Sequence, residues 1–205
     1  MRFTFLFLSI LLAATLAGNA SAASYRSAPS EPVTNGFDPV QRAAERRALY
    51  DQLWVEKLVV TEPGVRVRLN DEDLRALSET VSQGNRQVPA ERRQRIGVVK
   101  PVAHGVDFAG MGAAPTRPKS FAGGQLLASG GGLTWTALVR AEGATASRLH
   151  FTGVNLPEGA ELFVFNERGQ AYGPYTGSGR NGNGAFWSEA LIGTDTYVHL
   201  RVPGG

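Results

Sequence analysis

The side chains best suited to chemistry in this sequence are its three histidines, His104, His150 and His199, because the chain contains no cysteine. A neutral imidazole can act as a general base or as a metal ligand. His150 and His199 fall at outward positions of two predicted strands, where they could be neighbours. A zinc site needs three or four ligands, and two histidines on a polar strand face are more often ordinary surface residues. We therefore predict no metal site.

A serine nucleophile needs a base beside it and donors for the oxyanion. The best serine candidate is Ser129, which two glycines follow, but the Gly-Asp pair that would precede such a nucleophile is absent. Ser178 lies between two glycines without the Gly-x-Ser-x-Gly spacing of a nucleophile elbow. The lack of cysteine also excludes a thiol nucleophile, a Cys-based zinc site and a disulfide scaffold. We predict that the chain has no catalytic residues and is not an enzyme.

The loop Gly177–Gly184 could offer backbone carbonyls and asparagine oxygens to calcium. Calcium prefers carboxylate oxygens, and this loop contains neither Asp nor Glu. No loop with the Gly-Lys-Ser/Thr ending of a phosphate cradle occurs in the chain. We therefore predict no cofactor, with calcium kept as the alternative.

With no catalytic or metal site predicted, the role expected for the polar and aromatic residues is ligand binding. One candidate surface is the polar face of the predicted strands, and the other is an aromatic edge. The predicted binding face comprises Arg148, His150, Tyr175, Trp187, His199 and Arg201. The aromatic residues between positions 172 and 187 could stack on a sugar, although packing at the edge of the core is favoured because aromatic side chains dominate cores.

These residues lie in a glycine-rich part of the chain. Residues 101–205 hold 20 of the 25 glycines, and short alternating segments there are separated by Gly and Pro turns. The predicted strands are Ile96–Pro101, Leu133–Arg140, Ser147–Thr152, Ala160–Asn166, Gln170–Tyr172, Ala185–Ala190 and Thr194–Val202. We predict a mainly β protein, with an antiparallel β-sandwich or jelly-roll-like domain over residues 95–205 preceded by a short helical N-terminal region.

Two segments of this domain carry more specific predictions. Ala160–Asn166 is apolar on both faces, which is typical of a central strand covered on both sides. Gly105–Gly132 is predicted as a long loop with only a weak β signal near Gln125–Ala128.

The N-terminus is typical of a secretory signal peptide, residues 1–22. A basic residue precedes the apolar run Phe3–Leu16, and Ala20-Ser-Ala22 supplies the small-x-small pattern of a cleavage site. The predicted cut lies between Ala22 and Ala23. Because the apolar run is short for a bilayer span of about 20 residues, we predict a secreted or periplasmic protein with no stable membrane anchor.

Residues 23–94 are predicted to form a leader, a helical segment and a linker. Asp38 is the predicted N-cap of a helix with Pro39 in its first turn, and a second helix is predicted over Asp71–Ser82. Ala90–Arg95 is a basic run, but charge runs are usually solvated connectors. Because the net charge is only +3 and no basic stripe occurs, we predict no nucleic-acid partner.

An ordered set of short motifs runs through the β domain from Arg95 to Val202. The motifs are Arg95-Ile-Gly-Val-Val-Lys-Pro101, Leu133-Thr-Trp135, Gly143-Ala144, Arg148-Leu-His-Phe151, Leu156-Pro-Glu-Gly-Ala-Glu-Leu-Phe-Val-Phe165, Gly173-Pro-Tyr-Thr-Gly177 and Phe186-Trp-Ser188. As a set they resemble the non-catalytic N-terminal region of secreted bacterial trypsin-like serine peptidases, including lysyl-endopeptidase-like precursors. In such precursors this β domain stands upstream of the peptidase domain.

The resemblance implies a propeptide or accessory domain that assists folding, maintains latency or binds substrate. Its partner would be a serine peptidase domain, in cis or in trans. No residue of a catalytic triad carries over, because the resemblance covers only the non-catalytic region. The alternative is a stand-alone secreted β-sandwich module that binds carbohydrate or a cell surface. A protein or a glycan is the further partner considered.

Overall fold

The computed structural model describes residues 8–13, 38–75, 97–108 and 114–204, with side chains described in the last three ranges. The elements in chain order are β1 (Leu8–Ala13), α1 (Pro39–Glu56), β2 (Val65–Arg68), β3 (Val98–Val102), β4 (Lys119–Phe121), β5 (Gly124–Ser129), β6 (Gly132–Glu142), β7 (Ala146–Phe151), β8 (Glu161–Phe165), β9 (Ala171–Tyr175), β10 (Phe186–Trp187), β11 (Leu191–Ile192) and β12 (Asp195–Val202). The predicted mainly β class, with antiparallel sheets and a helix towards the N-terminus, is confirmed.

The described strands form two sheets. A five-stranded sheet has the order β10-β7-β1-β3, with β11 also paired to β7. A seven-stranded sheet has the order β4-β5-β6-β12-β8-β9, with β2 paired in parallel to β6. Strand β6 has 11 residues and is long enough to pair with two strands along one edge. On that edge it pairs with β5 through Gly132–Ala137 and with β2 through Val139–Glu142. Its other edge pairs with β12.

The main core lies between the two sheets and is built from alternate residues of each strand, as the period of two requires. Leu149 of β7 is fully buried there against residues of the seven-stranded sheet that include Val164 and Leu200. The five-stranded sheet thus turns the other face of β7, with Arg148 and His150, outwards.

A second core lies on the other face of the seven-stranded sheet, where α1 packs. Tyr50 and Leu53 of the helix contact a buried cluster that includes Phe163, Phe165 and Tyr197. Strand β8 therefore buries Leu162 and Val164 towards one core and its two phenylalanines towards the other. The predicted central strand covered on both sides is confirmed.

Helix α1 begins where the sequence predicts. The Asp38 carboxylate accepts hydrogen bonds from the backbone N–H groups of Val40 at 2.8 Å and Gln41 at 3.2 Å, and Pro39 is the first helical residue. These bonds satisfy two of the amide donors that a helix N-terminus leaves unpaired. The helix ends at Glu56, after which the backbone N–H of Leu58 donates to the Thr136 hydroxyl of β6 at 3.1 Å.

The second predicted helix begins at Asp71, and residues 71–75 are helical. Its first turn is closed by two reciprocal bonds of 2.9 and 2.8 Å between Asn70 and Asp73, the pattern of a capping box. The rest of this helix, the basic run Ala90–Arg95, the leader, and the cleavage-site residues Ala20, Ala22 and Ala23 lie outside the described residues.

The long loop predicted over Gly105–Gly132 is wrong, because this segment contains β4 and β5. Strand β5 pairs with β6 over six register positions, from Gly124 to Ser129. Gly130 and Gly131, with φ of +57° and +86°, form the two-residue turn between them, and such hairpin turns favour glycine at both central positions. The weak β signal predicted near Gln125–Ala128 falls within β5.

Candidate binding surface

The outer face of the five-stranded sheet gathers three residues of the predicted binding face. Burial alternates along β7, so Leu149 points into the core while Arg148 and His150 point outwards. Strand β10 pairs with β7 so that Trp187 lies opposite His150. We call these three outward residues, Arg148, His150 and Trp187, the β7 patch.

The side chains of the β7 patch contact one another. The rings of His150 and Trp187 stack with centroids 4.5 Å apart and planes 20° from parallel. The Arg148 guanidinium carbon lies 5.7 Å from the centroid of the Trp187 ring, within cation–π range. Arg148 Nε also donates to the carbonyl oxygen of Ser188 at 2.8 Å, which fixes the arginine beside the indole.

Ser188 anchors this arrangement from beneath. Its side chain is fully buried, and its hydroxyl accepts from the Leu149 N–H at 3.0 Å while its own N–H donates to the Leu149 carbonyl at 2.8 Å. The β7 patch therefore lies over a backbone segment that is hydrogen-bonded between Leu149 and Ser188. Two planar rings and a guanidinium on a rigid face can bind a carboxylate, an aromatic side chain or the apolar face of a sugar.

Tyr175, the fourth predicted binding residue, is not at this surface, because it is only 2% exposed. Its ring stacks on Phe186 with centroids 4.9 Å apart, inside the main core. Its hydroxyl donates to Glu189, which also accepts from Arg180.

Burial and the neighbouring carboxylate raise the pKa of the Tyr175 hydroxyl well above its ordinary value. Burial alone would raise the pKa of Glu189, but the hydrogen bonds from Tyr175 and Arg180 outweigh it and lower that pKa.

Replacing Tyr175 by phenylalanine is expected to lower the free energy of unfolding by about 2 kcal/mol, because a hydrogen bond to a charged partner is lost next to the core. Urea unfolding followed by tryptophan fluorescence measures the loss. Tyr172→Phe on the same strand is the matched control, since no hydrogen bond of the Tyr172 hydroxyl is found within the described chain. Equal losses in both variants would show that the bond to Glu189 contributes nothing.

His199 was predicted on an outward polar face, and this is wrong, because the residue is completely buried. Helix α1 covers the outer face of the seven-stranded sheet, so the outward positions of β12 form part of the second core. His199 Nδ1 lies 2.9 Å from the Thr136 hydroxyl oxygen, which also accepts the Leu58 N–H. This chain of contacts joins the end of α1 to β6 and β12. Burial, with the positive charge of Arg201 nearby, lowers the pKa of His199 to about 4.

Arg201, also predicted in the binding face, lies at the end of the same covered side. It forms ion pairs with Glu56 of α1 and with Glu161 of β8, and its guanidinium lies 4.8 Å from the Phe163 ring centroid. A cleft of about 470 Å³ opens beside it. Because two carboxylates already neutralise Arg201, this cleft offers an anionic ligand little charge. The six predicted residues thus divide into the β7 patch and three residues with structural contacts.

In the described part of the chain, neither Ser129 nor Ser178 is hydrogen-bonded to a histidine. Ser129 is the last residue of β5, next to the two-residue turn. His104 Nε2 is within hydrogen-bond distance of the Ala122 carbonyl, and His150 stacks on Trp187. His199 pairs with Thr136 and lies beside the rings of Phe163 and Phe165. Within the described ranges, no group of three His, Cys, Asp or Glu side chains could hold a metal ion.

Several oxygens of the loop Gly177–Gly184, considered for calcium, accept hydrogen bonds from backbone N–H groups. The Gly184 N–H donates to the Ser178 carbonyl at 2.8 Å, and the Gly182 N–H donates to the Gly179 carbonyl at 3.0 Å. The side-chain oxygen of Asn183 accepts the Ala185 N–H at 3.0 Å. These bonds hold the loop in its observed shape.

Comparisons with protein-family models, with curated proteins and with solved structures give no match for this chain. Among the helices in the described ranges, none is long and apolar enough to span a bilayer. The geometry of the β7 patch is therefore the main basis for assigning a function.

Proposed function

We propose that this chain is an exported, non-catalytic binding module that acts as the pro-region or accessory domain of a trypsin-like serine peptidase, in cis or in trans. The observation that carries the proposal is the β7 patch, in which a tryptophan, a histidine and an arginine contact one another on a rigid outer face. Trp and Arg are the residues most enriched among those that dominate binding energy at protein interfaces.

The motifs that carry the resemblance also supply the patch. Arg148 and His150 come from one motif, and Trp187 comes from another, 37 positions beyond His150 yet its register partner. Pairing of β10 with β7 brings the two motifs together at the surface. This juxtaposition supports recognition of a protein surface that offers a carboxylate to Arg148 and an apolar group to the stacked rings.

The proposal predicts a large loss of binding when Trp187 is replaced by alanine. The probe is a purified lysyl-endopeptidase-like enzyme immobilised for biolayer interferometry. We expect Kd to rise about 30-fold, the equivalent of a hot-spot contribution of about 2 kcal/mol. The matched control is Trp54→Ala, because Trp54 is a partly exposed tryptophan of α1 on the opposite outer face of the sandwich.

The two variants separate the possible results. An unchanged Kd in Trp187→Ala, or an equal loss in Trp54→Ala, would remove the β7 patch from the interface. If the unaltered chain binds no peptidase of this class, the peptidase role fails.

The second candidate is a carbohydrate-binding module, favoured by the near-parallel stack of His150 and Trp187, which presents planar rings beside a guanidinium. A glycan array with the same two tryptophan variants tests it. Signals that disappear in Trp187→Ala and persist in Trp54→Ala would support this candidate, and an array without signals would exclude it for the glycans displayed.

A further inference from the structure

Strand β1 occupies a central position in the five-stranded sheet. It pairs antiparallel with β3, where Leu11 lies opposite Val99, and antiparallel with β7, where Leu11 lies opposite Arg148. Five register positions join it to each neighbour. Within the described residues, β1 is the only strand with which β3 forms a ladder.

The residues of β1 fall within the predicted signal peptide, residues 1–22. Cleavage after Ala22 would remove the strand and leave β3 and β7 about 10 Å apart, twice the spacing of neighbouring strands. The backbone groups that each strand directs at β1 would then be unpaired, and unpaired strand edges pair readily with other chains. Val98 and Leu149, which are 4% and 0% exposed, lie at the border of this gap.

We infer that the mature protein contains a strand-acceptor slot between β3 and β7, and that this slot binds an extended apolar segment of a partner protein as an added strand. The inference goes beyond the proposed function and rests on the predicted removal of residues 1–22. It does not depend on which partner the β7 patch recognises.

The register of β1 specifies the chemistry of the segment that would fit. Positions 8, 10 and 12 lie opposite the inward row of the neighbouring strands, which includes the buried Val98 and Leu149, so the added strand needs apolar residues at alternate positions. Positions 9 and 11 lie opposite His150 and Arg148 of the outer face. An added strand would therefore run directly beside the β7 patch, and a carboxylate at the position of Leu11 would lie next to Arg148.

The experiment uses the exported protein and the absence of cysteine from the chain. Mass spectrometry first establishes the N-terminus of the isolated protein. Val99→Cys then places a thiol at the slot, opposite position 11, and Ile192→Cys places one outside it; the two residues are similarly exposed, at 51% and 52%. The probe is a synthetic peptide of residues 8–13 with Leu11→Cys and terminal lysines for solubility.

Directly opposed residues in an antiparallel pair have the Cα separation that a disulfide requires. The peptide thiol is first activated as a 2-pyridyl disulfide, so that the protein thiolate attacks it and releases pyridine-2-thione. We expect this exchange to be at least about tenfold faster with the Val99→Cys protein than with the Ile192→Cys protein, because binding raises the local concentration of the reacting groups. A peptide that also carries Ile10→Pro should lose this preference, since proline lacks the N–H needed for pairing.

Three results would overturn the inference. The first is an isolated protein that retains residues 8–13, because the slot is then permanently filled. The second is equal disulfide formation in the two variants, and the third is an unchanged rate with the proline peptide. None of these readouts involves a peptidase or a glycan, so their failure is distinguishable from failure of the proposed function.

Discussion

Replacing Leu53 by alanine is expected to lower the free energy of unfolding by about 2–5 kcal/mol, the range for large-to-small changes at fully buried sites. Leu53 is 0% exposed and is one of the two buried residues by which α1 packs on the seven-stranded sheet. Its loss leaves a cavity beside Phe163 and Phe165, which the rigid sheet cannot fill. Urea unfolding followed by tryptophan fluorescence measures the change.

Val55→Ala is the matched control for Leu53→Ala, because Val55 is an apolar residue of the same helix that is 83% exposed. We expect its effect to stay within about 0.5 kcal/mol, as for most surface substitutions. Similar effects in the two variants would contradict a stabilising contact of Leu53 with the sheet, because alanine is the best helix former and neither change lowers helix propensity.

The second large effect is a loss of stability in acid through His199. Its pKa falls from 6.5 in the unfolded chain to about 4 in the fold. Above pH 6.5 both states are neutral at this residue, and below that value the unfolded state binds a proton that the folded state does not. Stability is therefore lost as the pH falls from 6.5 to 4, by about 3 kcal/mol in total.

The pH effect is measured by urea unfolding at several values between pH 7 and 4, in the unaltered chain and in His199→Gln. Glutamine does not titrate, so the difference between the two stabilities isolates the histidine from the carboxylates that also titrate near pH 4. We expect the unaltered chain to lose about 3 kcal/mol more than the variant over this interval. Parallel curves would contradict a neutral, buried His199, and NMR titration of its ring protons gives an independent check.

Much of the fold follows from local sequence pattern. The N-cap at Asp38, the strand near Leu133–Arg140 and the doubly covered segment around Val164 each depend on a few neighbouring residues, and each is present in the structure. Local periodicity and capping are the parts of a fold that short-range interactions determine.

What sequence pattern could not predict depends on contacts between distant segments. The alternation of residues along β12 predicts that the strand has two faces, but it does not show whether each face is covered. The face with His199 is buried because α1, more than 130 positions earlier in the chain, packs on it. Strand β5 gave only a weak signal near Gln125–Ala128, because its ladder is formed with β6 across a glycine turn. The β7 patch was only partly predicted, since Arg148 and Trp187 meet through strand pairing. The apolar run that indicates a signal peptide equally suits a strand such as β1.

The position of β12 has a consequence for the order in which the chain is made. This strand is the last in sequence of those described, yet it lies between β6 and β8, with eight register positions to one and five to the other. The seven-stranded sheet therefore cannot close while residues 195–202 are still unsynthesised. Because non-local pairing is slow and must wait for its last strand, the seven-stranded sheet is completed only after residues 195–202 have been made.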